Sequence, residues 1–169
     1  MGKRSNFQRH ERDYYPTPPH AIDPLLPHIG ETDFIEPCAG DYRLAEYLES
    51  KGSRCMWAFD IEPQDPRVEC GDIFAEDWSS HSCEVITNPP WDRKILHPII
   101  EKLTKSREGG WLLFDADWMH TKQSKLFMPY CNKIVSVGRV KWFDNKAGKD
   151  NAAWYQFSNY QVGTEFFGR

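Results

Sequence analysis

Residues 83–91 read Cys83-Glu84-Val85-Ile86-Thr87-Asn88-Pro89-Pro90-Trp91. The run up to Thr87 has the make-up of a buried strand, and it stops abruptly at Asn88. Two consecutive prolines remove two backbone donors and fix φ at both positions, so the chain leaves the sheet in one stiff conformation. A stiff turn at the C-terminal end of a strand is where open α/β folds place their chemistry. The Asn88 side-chain oxygen stands next to the carbonyl of Pro89, and Trp91 offers a flat apolar face. Two acceptors and a stacking face suit a planar group carrying an NH2, such as the amino edge of adenine. The plain alternative is a Pro-rich loop with a half-buried Trp.

Working outward, residues 1–18 are polar and Pro-containing and read as an arm. Pro19 to Ile29 shows helical spacing at Ile22, Leu25, Leu26 and Ile29, which Pro24 and Pro27 should kink or shorten. A short strand is expected at 33–36, a helix from about Tyr42 to Lys51 ended by Gly52, and a second strand at 55–59. A weak third strand falls at 67–69, and the strand entering Asn88 is the fourth. Helix follows near 95–106, then a strong strand at 111–114, a short helix at 121–129, and two strands at 133–140 and 152–158. Strands alternating with helices predict a mostly parallel, doubly wound, seven-stranded α/β sheet with helices on both faces and an antiparallel hairpin at one edge. One domain is expected over 19–169, with no separate recognition domain.

Composition narrows the function classes. The chain has 169 residues, 40% hydrophobic and 14% aromatic, including seven Trp. An aromatic-rich core accounts for most of those rings, with some left exposed for stacking. No apolar run approaches the ~20 residues of a membrane span, and the N-terminus lacks the apolar core of a signal peptide. Five scattered cysteines without C-x-x-C read as reduced cytoplasmic thiols, and the six histidines lack ligand spacing, so no metal is expected. Net charge is −4, against a sequence-independent nucleic-acid coat. Even so, Lys3, Arg4, Arg9 and Arg12 crowd the arm, and Arg139, Lys141, Lys146 and Lys149 form a second basic set.

Glu36-Pro37-Cys38-Ala39-Gly40-Asp41 joins the first strand to the first long helix. Its small residues admit a ligand close to the backbone, and a helix N-terminus with free N–H groups follows. It is neither a dinucleotide G-x-G-x-x-G nor a phosphate loop. Asp60 closes the second strand, placed to accept from a ribose diol. Gly71-Asp72-Ile73-Phe74 follows the third strand, with Asp72 placed to accept from an adenine amino group and the apolar residues packing on the ring. Each taken alone reads equally well as a turn residue. Together the three acids follow successive strands and converge on one edge.

These motifs resemble those of class I S-adenosylmethionine-dependent methyltransferases of the adenine-N6 type, similar to small phage DNA adenine methyltransferases. The resemblance runs from Tyr15 to about Phe157. Tyr15-Pro16-Thr17-Pro18 is similar to the family's opening motif, which touches the methionine end of the cofactor. Glu36-Pro37-Cys38-Ala39-Gly40 resembles the first cofactor motif, Asp60-Ile61 the ribose-binding acid and its neighbour, and Asp72-Ile73 the adenine-binding pair. Asn88-Pro89-Pro90-Trp91 matches the catalytic [DNS]-P-P-[YFW] motif. Gly138 to Phe143 and Asp150 to Trp154 look like the family's late strands. Tyr42 stands where relatives often carry a second glycine. The resemblance implies S-adenosyl-L-methionine as cofactor and methyl transfer to N6 of adenine in DNA, with RNA adenine N6, guanine N2 or a protein glutamine amide as alternatives. It implies a cytoplasmic monomer or weak dimer, in a host's cytoplasm if phage-encoded. Candidate DNA-binding residues are Trp91, Arg93, Lys94, Lys141, Trp142, Lys146 and Lys149, and Trp91→Phe is expected to be mild.

Overall fold

The computed structural model describes residues 15–142 and 149–169, Lys149 by its backbone alone. The arm cations Lys3, Arg4, Arg9 and Arg12, the residue Lys146 and the Lys149 side chain therefore lie outside the described residues.

Each central strand carries neighbouring apolar residues that point to opposite faces, because successive side chains alternate across a strand. Those strands are β1 (Asp33–Glu36), β2 (Arg54–Asp60), β4 (Glu84–Thr87) and β5 (Gly110–Asp115). Phe34, Ala58, Ile86 and Leu113 face one way, where Ala21, Ile22, Leu25, Leu44, Ala45 and Leu48 cover them. Ile35, Phe59, Val85, Leu112 and Phe114 face the other, under Leu96, Ile99, Ile100, Leu103 and Trp118. The first cover comes from α1 (Pro19–Ile22), α2 (Leu26–Ile29) and α3 (Arg43–Glu49), the second mainly from α4 (Arg93–Lys105). Each fully buried aliphatic side chain contributes about 1.5–3 kcal/mol.

The sheet has eight strands in the order β3-β2-β1-β4-β5-β7-β6-β8, where β3 is Glu69–Cys70, β6 Cys131–Lys141, β7 Lys149–Phe157 and β8 Glu165–Phe167. β3 to β5 run parallel, and β7 pairs antiparallel with both β5 and β6. The expected count of seven strands is corrected to eight. The hairpin β6–β7 is not the edge either, because β8 adds parallel to β6 beyond it. β8 has only three residues, two of them exposed, too few for an alternating pattern to be read.

The prolines act as expected: Pro24 and Pro27 break the 19–29 segment into α1, a 3₁₀ turn at Asp23–Leu25, and α2. The helix expected at 121–129 is instead a chain of 3₁₀ turns at Ala116–His120, Gln123–Leu126 and Met128–Tyr130. Ser124 Oγ donates to the carbonyls of Met119 and Thr121, taking acceptors a regular helix would use. Of the seven Trp, five are buried and Trp57 and Trp91 are partly buried, so no indole is left fully exposed for stacking. Gly110 lets β5 approach β4 closely: a Cβ there would lie 2.3 Å from the carbonyl oxygen of Val85.

Glu84 on β4 is largely buried, and desolvation pushes its carboxyl up to about 7 despite the hydrogen bond from Gln156. A carboxyl pKa raised by folding gives stability that is present at low pH and lost as pH rises through about 7. Unfolding free energy should therefore fall by about 1–3 kcal/mol between ordinary carboxylate pH and pH 8. Glu84→Gln should flatten that slope in urea titrations, and an unchanged slope would remove Glu84 as its source.

Candidate active site

Sheet order decides the site. β3, β2, β1 and β4 are consecutive neighbours and parallel, so their C-terminal ends form a row bearing Asp72, Asp60, Glu36 and Asn88. Adjacent strands lie about 4.8 Å apart, so the row spans roughly 14 Å. A cleft of about 630 Å³ runs along it. The expected cofactor-binding residues Tyr15, Thr17, Glu36, Pro37, Cys38, Ala39, Gly40, Asp60, Ile61, Asp72, Ile73 and Asn88 all line this cleft, with Pro90 beside them.

Asp60 is held from both sides: Oδ2 accepts from Gly40 N at 3.0 Å and Oδ1 from Glu62 N at 2.8 Å. Each carboxylate oxygen keeps a further lone pair. Asp72 Oδ1 accepts from Phe74 N at 2.9 Å. Ile61 and Phe74 stay more than two-fifths exposed while Ile73 is buried, giving the acids apolar walls on the cleft.

Glu36 is buried, and its Oε2 accepts from Ala45 N at 3.1 Å in α3. Burial drives its carboxyl well above the usual range, and Asp41 and Asp60 push it further. Among the described residues no cation pairs with Glu36, and an opposite charge beside it would favour its ionised form. Desolvation first and the neighbouring carboxylates second push the Cys38 thiol far above its ordinary pKa, which disfavours the thiolate.

The loop into α3 turns on two left-handed residues, Gly40 at φ 52° and Tyr42 at φ 65°. Tyr42 occupies the position where the resembled family often has glycine, and it keeps the glycine conformation. The left-handed backbone costs a side chain about 1–2 kcal/mol. Burial of the ring to 8% exposure and the Arg67 guanidinium 4.3 Å from its centroid offset that cost. Arg67 also pairs with Asp65 and Glu46, which ties the segment after Asp60 to α3.

Asn88 is fixed from three directions. Its Nδ2 donates to Tyr15 O at 3.2 Å and to Thr17 Oγ1 at 3.1 Å, and its Oδ1 accepts from Trp91 Nε1 at 3.2 Å. A backbone carbonyl only accepts and an indole only donates, so the amide can sit one way round. Oδ1 keeps its second lone pair for a ligand. Trp91 Nε1 also donates to Leu113 O at 3.1 Å, and its ring meets Trp142 edge-on at 5.5 Å.

The bare stacking face read from the sequence is thus an anchored ring whose N–H orients Asn88. Trp142, expected at the substrate, is 7% exposed and wedged between Trp91 and Tyr15. Arg93 Nη1 donates to Gln123 Oε1 at 2.6 Å, and Lys94 and Lys141 are exposed. Pro16, Asp41 and Phe74, which belong to the stretches singled out in the sequence, also line the cleft, and sequence reading missed Leu44, Glu62, Gln64 and Ile95 there. Glu62 closely follows Asp60, whereas Ile95 reaches the cleft only because α4 packs there.

No protein-family model and no curated protein matches the chain. Among solved structures it is similar to a protein of Pyrococcus horikoshii described as a candidate RNA methyltransferase. That match has TM-score 0.61 and 15% identity, over 90% of this chain and 88% of that one. It is also similar to a candidate class I S-adenosylmethionine-dependent methyltransferase of Listeria monocytogenes, with TM-score 0.51 and 12% identity. The second match covers 89% of this chain and 61% of the Listeria chain. The fold is therefore the Rossmann-like α/β fold of class I methyltransferases.

Trp91→Phe keeps an aromatic face but removes the five-membered ring with the N–H that serves Asn88 and Leu113. Loss of those bonds should cost about 1–2 kcal/mol in urea unfolding at constant m. A variant as stable as the parent would mean the indole N–H contributes nothing.

Proposed function

We propose that the protein binds S-adenosylmethionine along the row of strand ends and transfers its methyl group to the exocyclic N6 of adenine in DNA. The observation that carries this reading is Asn88 opening onto the same cleft as Asp60 and Asp72. An acceptor for an amine and acceptors for a nucleoside then share one wall. The donor set fits the cofactor: Asp60 for the ribose diol, Asp72 for the adenine amino group, Ile61, Ile73 and Phe74 for the ring, and Glu36 for the ammonium end. When bound, the cofactor supplies an electrophilic methyl on a sulfonium, which needs no metal and no covalent enzyme intermediate.

The chain's own residues hold the nucleophile. Asn88 Oδ1 and the Pro89 carbonyl accept from the amino hydrogens, favour a pyramidal nitrogen, and keep its lone pair in line with the methyl. As the nitrogen forms its new bond to carbon, sulfur keeps the electron pair of the bond that breaks, and the amine proton leaves to water. A base inside a duplex must be flipped out to reach this turn.

The name of the Pyrococcus protein favours a second reading in which the adenine belongs to RNA. Presenting unmethylated DNA and RNA side by side with labelled cofactor, and identifying the methylated base, tests both. N6-methyladenine in DNA is expected. Label in RNA alone would move the substrate, and label in neither would overturn the proposal.

Asp60→Ala should weaken S-adenosylmethionine by about 1–3 kcal/mol, because two ribose hydroxyls lose their acceptor. Calorimetry showing wild-type affinity would remove the ribose role. Asn88→Ala should lower the transfer rate by about 100-fold or more. Because Asn88 also tethers Tyr15 and Thr17, cofactor affinity should drop too, by no more than about tenfold, or 1.4 kcal/mol. A variant retaining over a tenth of the wild-type rate would mean another group accepts the amine.

A further inference from the structure

Some of the exposed cations among the described residues are held in ion pairs and others are not. Arg43, Arg54, Arg67, Lys105 and Arg107 each reach a carboxylate, at 2.6 to 3.3 Å. Lys94, Lys122 and Lys125 are exposed and have no ion-pair partner among the described residues.

Lys94, Lys122 and Lys125 share one place in the fold, while Lys51, Arg139, Lys141 and Arg169, also exposed and without an ion-pair partner among the described residues, lie on other elements. Lys122 precedes the 3₁₀ turn Gln123–Leu126 and Lys125 sits within it. That turn is braced on the start of α4 by the Arg93–Gln123 hydrogen bond. It is braced again by Trp118 Nε1 donating to His97 Nε2 at 3.1 Å, and by Phe127 packing on His97 at 4.9 Å. α4 begins two residues after Trp91, and β5, which feeds this segment, pairs with β4 up to Thr87. The surface therefore adjoins the Asn88 turn on the side away from Asp60 and Asp72.

Charge separates along that edge. The nucleoside side carries Glu36, Asp41, Asp60, Glu62 and Asp72 on the cleft. The braced surface carries Arg93, Lys94, Lys122 and Lys125 against Asp92, Asp115 and Asp117, with the Asp92 carboxylate capping α4 and the Asp115 carboxylate capping the first 3₁₀ turn. A locally positive surface on a chain of net charge −4 directs a polyanion to one side of the cleft only. Leu126, 76% exposed, adds an apolar contact beside the lysines.

We propose that this surface, the 3₁₀ turn with its two lysines together with Arg93 and Lys94, docks the phosphate backbone of DNA beside the flipped adenine. The proposal rests on the nucleic-acid reading above and extends it to residues outside the cofactor cleft. Lys122 and Lys125 each neutralise a phosphate, and Gln123 presets the Arg93 side chain. Contacts of this kind set the register of the duplex and carry no sequence information.

The test is fluorescence anisotropy with a short adenine-containing DNA duplex and an RNA of the same sequence, over a series of salt concentrations. Lys122→Ala combined with Lys125→Ala should weaken DNA binding about tenfold at low salt and make the log–log salt slope shallower by about two. S-adenosylmethionine affinity, read by calorimetry on the same preparation, should stay unchanged and so report an intact fold. Lys122→Arg with Lys125→Arg should restore most of the binding. If the wild type binds and methylates DNA while the alanine variant matches it in affinity and slope, the docking surface is overturned and the proposed activity stands. Tighter binding of the RNA overturns the assignment of the surface to DNA. Wild-type protein that binds neither overturns the docking surface together with the nucleic-acid substrate.

Discussion

The side-chain amide of Asn88 joins parts of the chain that share nothing in sequence. Its Nδ2 holds a carbonyl 73 residues earlier and a hydroxyl 71 residues earlier, while its Oδ1 takes the indole N–H of Trp91. Each bond runs in one direction only, since the indole cannot accept and the Tyr15 carbonyl cannot donate. The turn after β4, the segment that closes the cleft and the packing of Trp91 against Leu113 are thereby mutually dependent. Trp142 completes the assembly by wedging between Tyr15 and Trp91, so the residue that follows β6 supports the turn that follows β4. Removing any one of these groups leaves a partly buried partner without its bond, which costs more than the bond itself contributes.

Around that junction the strand ends do the sorting. In a parallel sheet every strand releases its chain at the same edge, so residues far apart in sequence arrive side by side without contacts of their own to bring them there. The order β3-β2-β1-β4 sets Asp72, Asp60, Glu36 and Asn88 in a line. The acids end up at one side and the Asn88 amide at the other. Beyond Asn88 come β5 and the antiparallel β7 and β6, and the braced 3₁₀ turns after β5 bring Lys122 and Lys125 to that side. One edge thus presents opposite charge at its two ends.

Tyr42 shows how local backbone cost is absorbed by tertiary contacts. A left-handed aromatic residue is unfavourable in isolation. Here its ring lies in the core beneath Arg67, and Arg67 is itself tied to Asp65 and Glu46. The loop keeps the shape that a glycine would give it and gains a packed anchor from the same residue.

Period and punctuation in the sequence were enough for the architecture. Alternating apolar pairs such as Phe34-Ile35 marked strands buried on both faces, and Pro24 and Pro27 marked where the first helix must break. The residues that line the cleft were legible because they follow strand ends, and a parallel sheet places strand ends together by geometry alone. What the sequence left undetermined depends on contacts between distant segments. The eighth strand is too short to show alternation. The 3₁₀ turns of 116–130 arise where Ser124 competes for backbone acceptors, and propensity does not register that competition. The roles of Trp91 and Trp142 were decided only by packing. An indole carries both a face and a donor, and which of them is used depends on whether Asn88 and Leu113 stand within reach of its N–H.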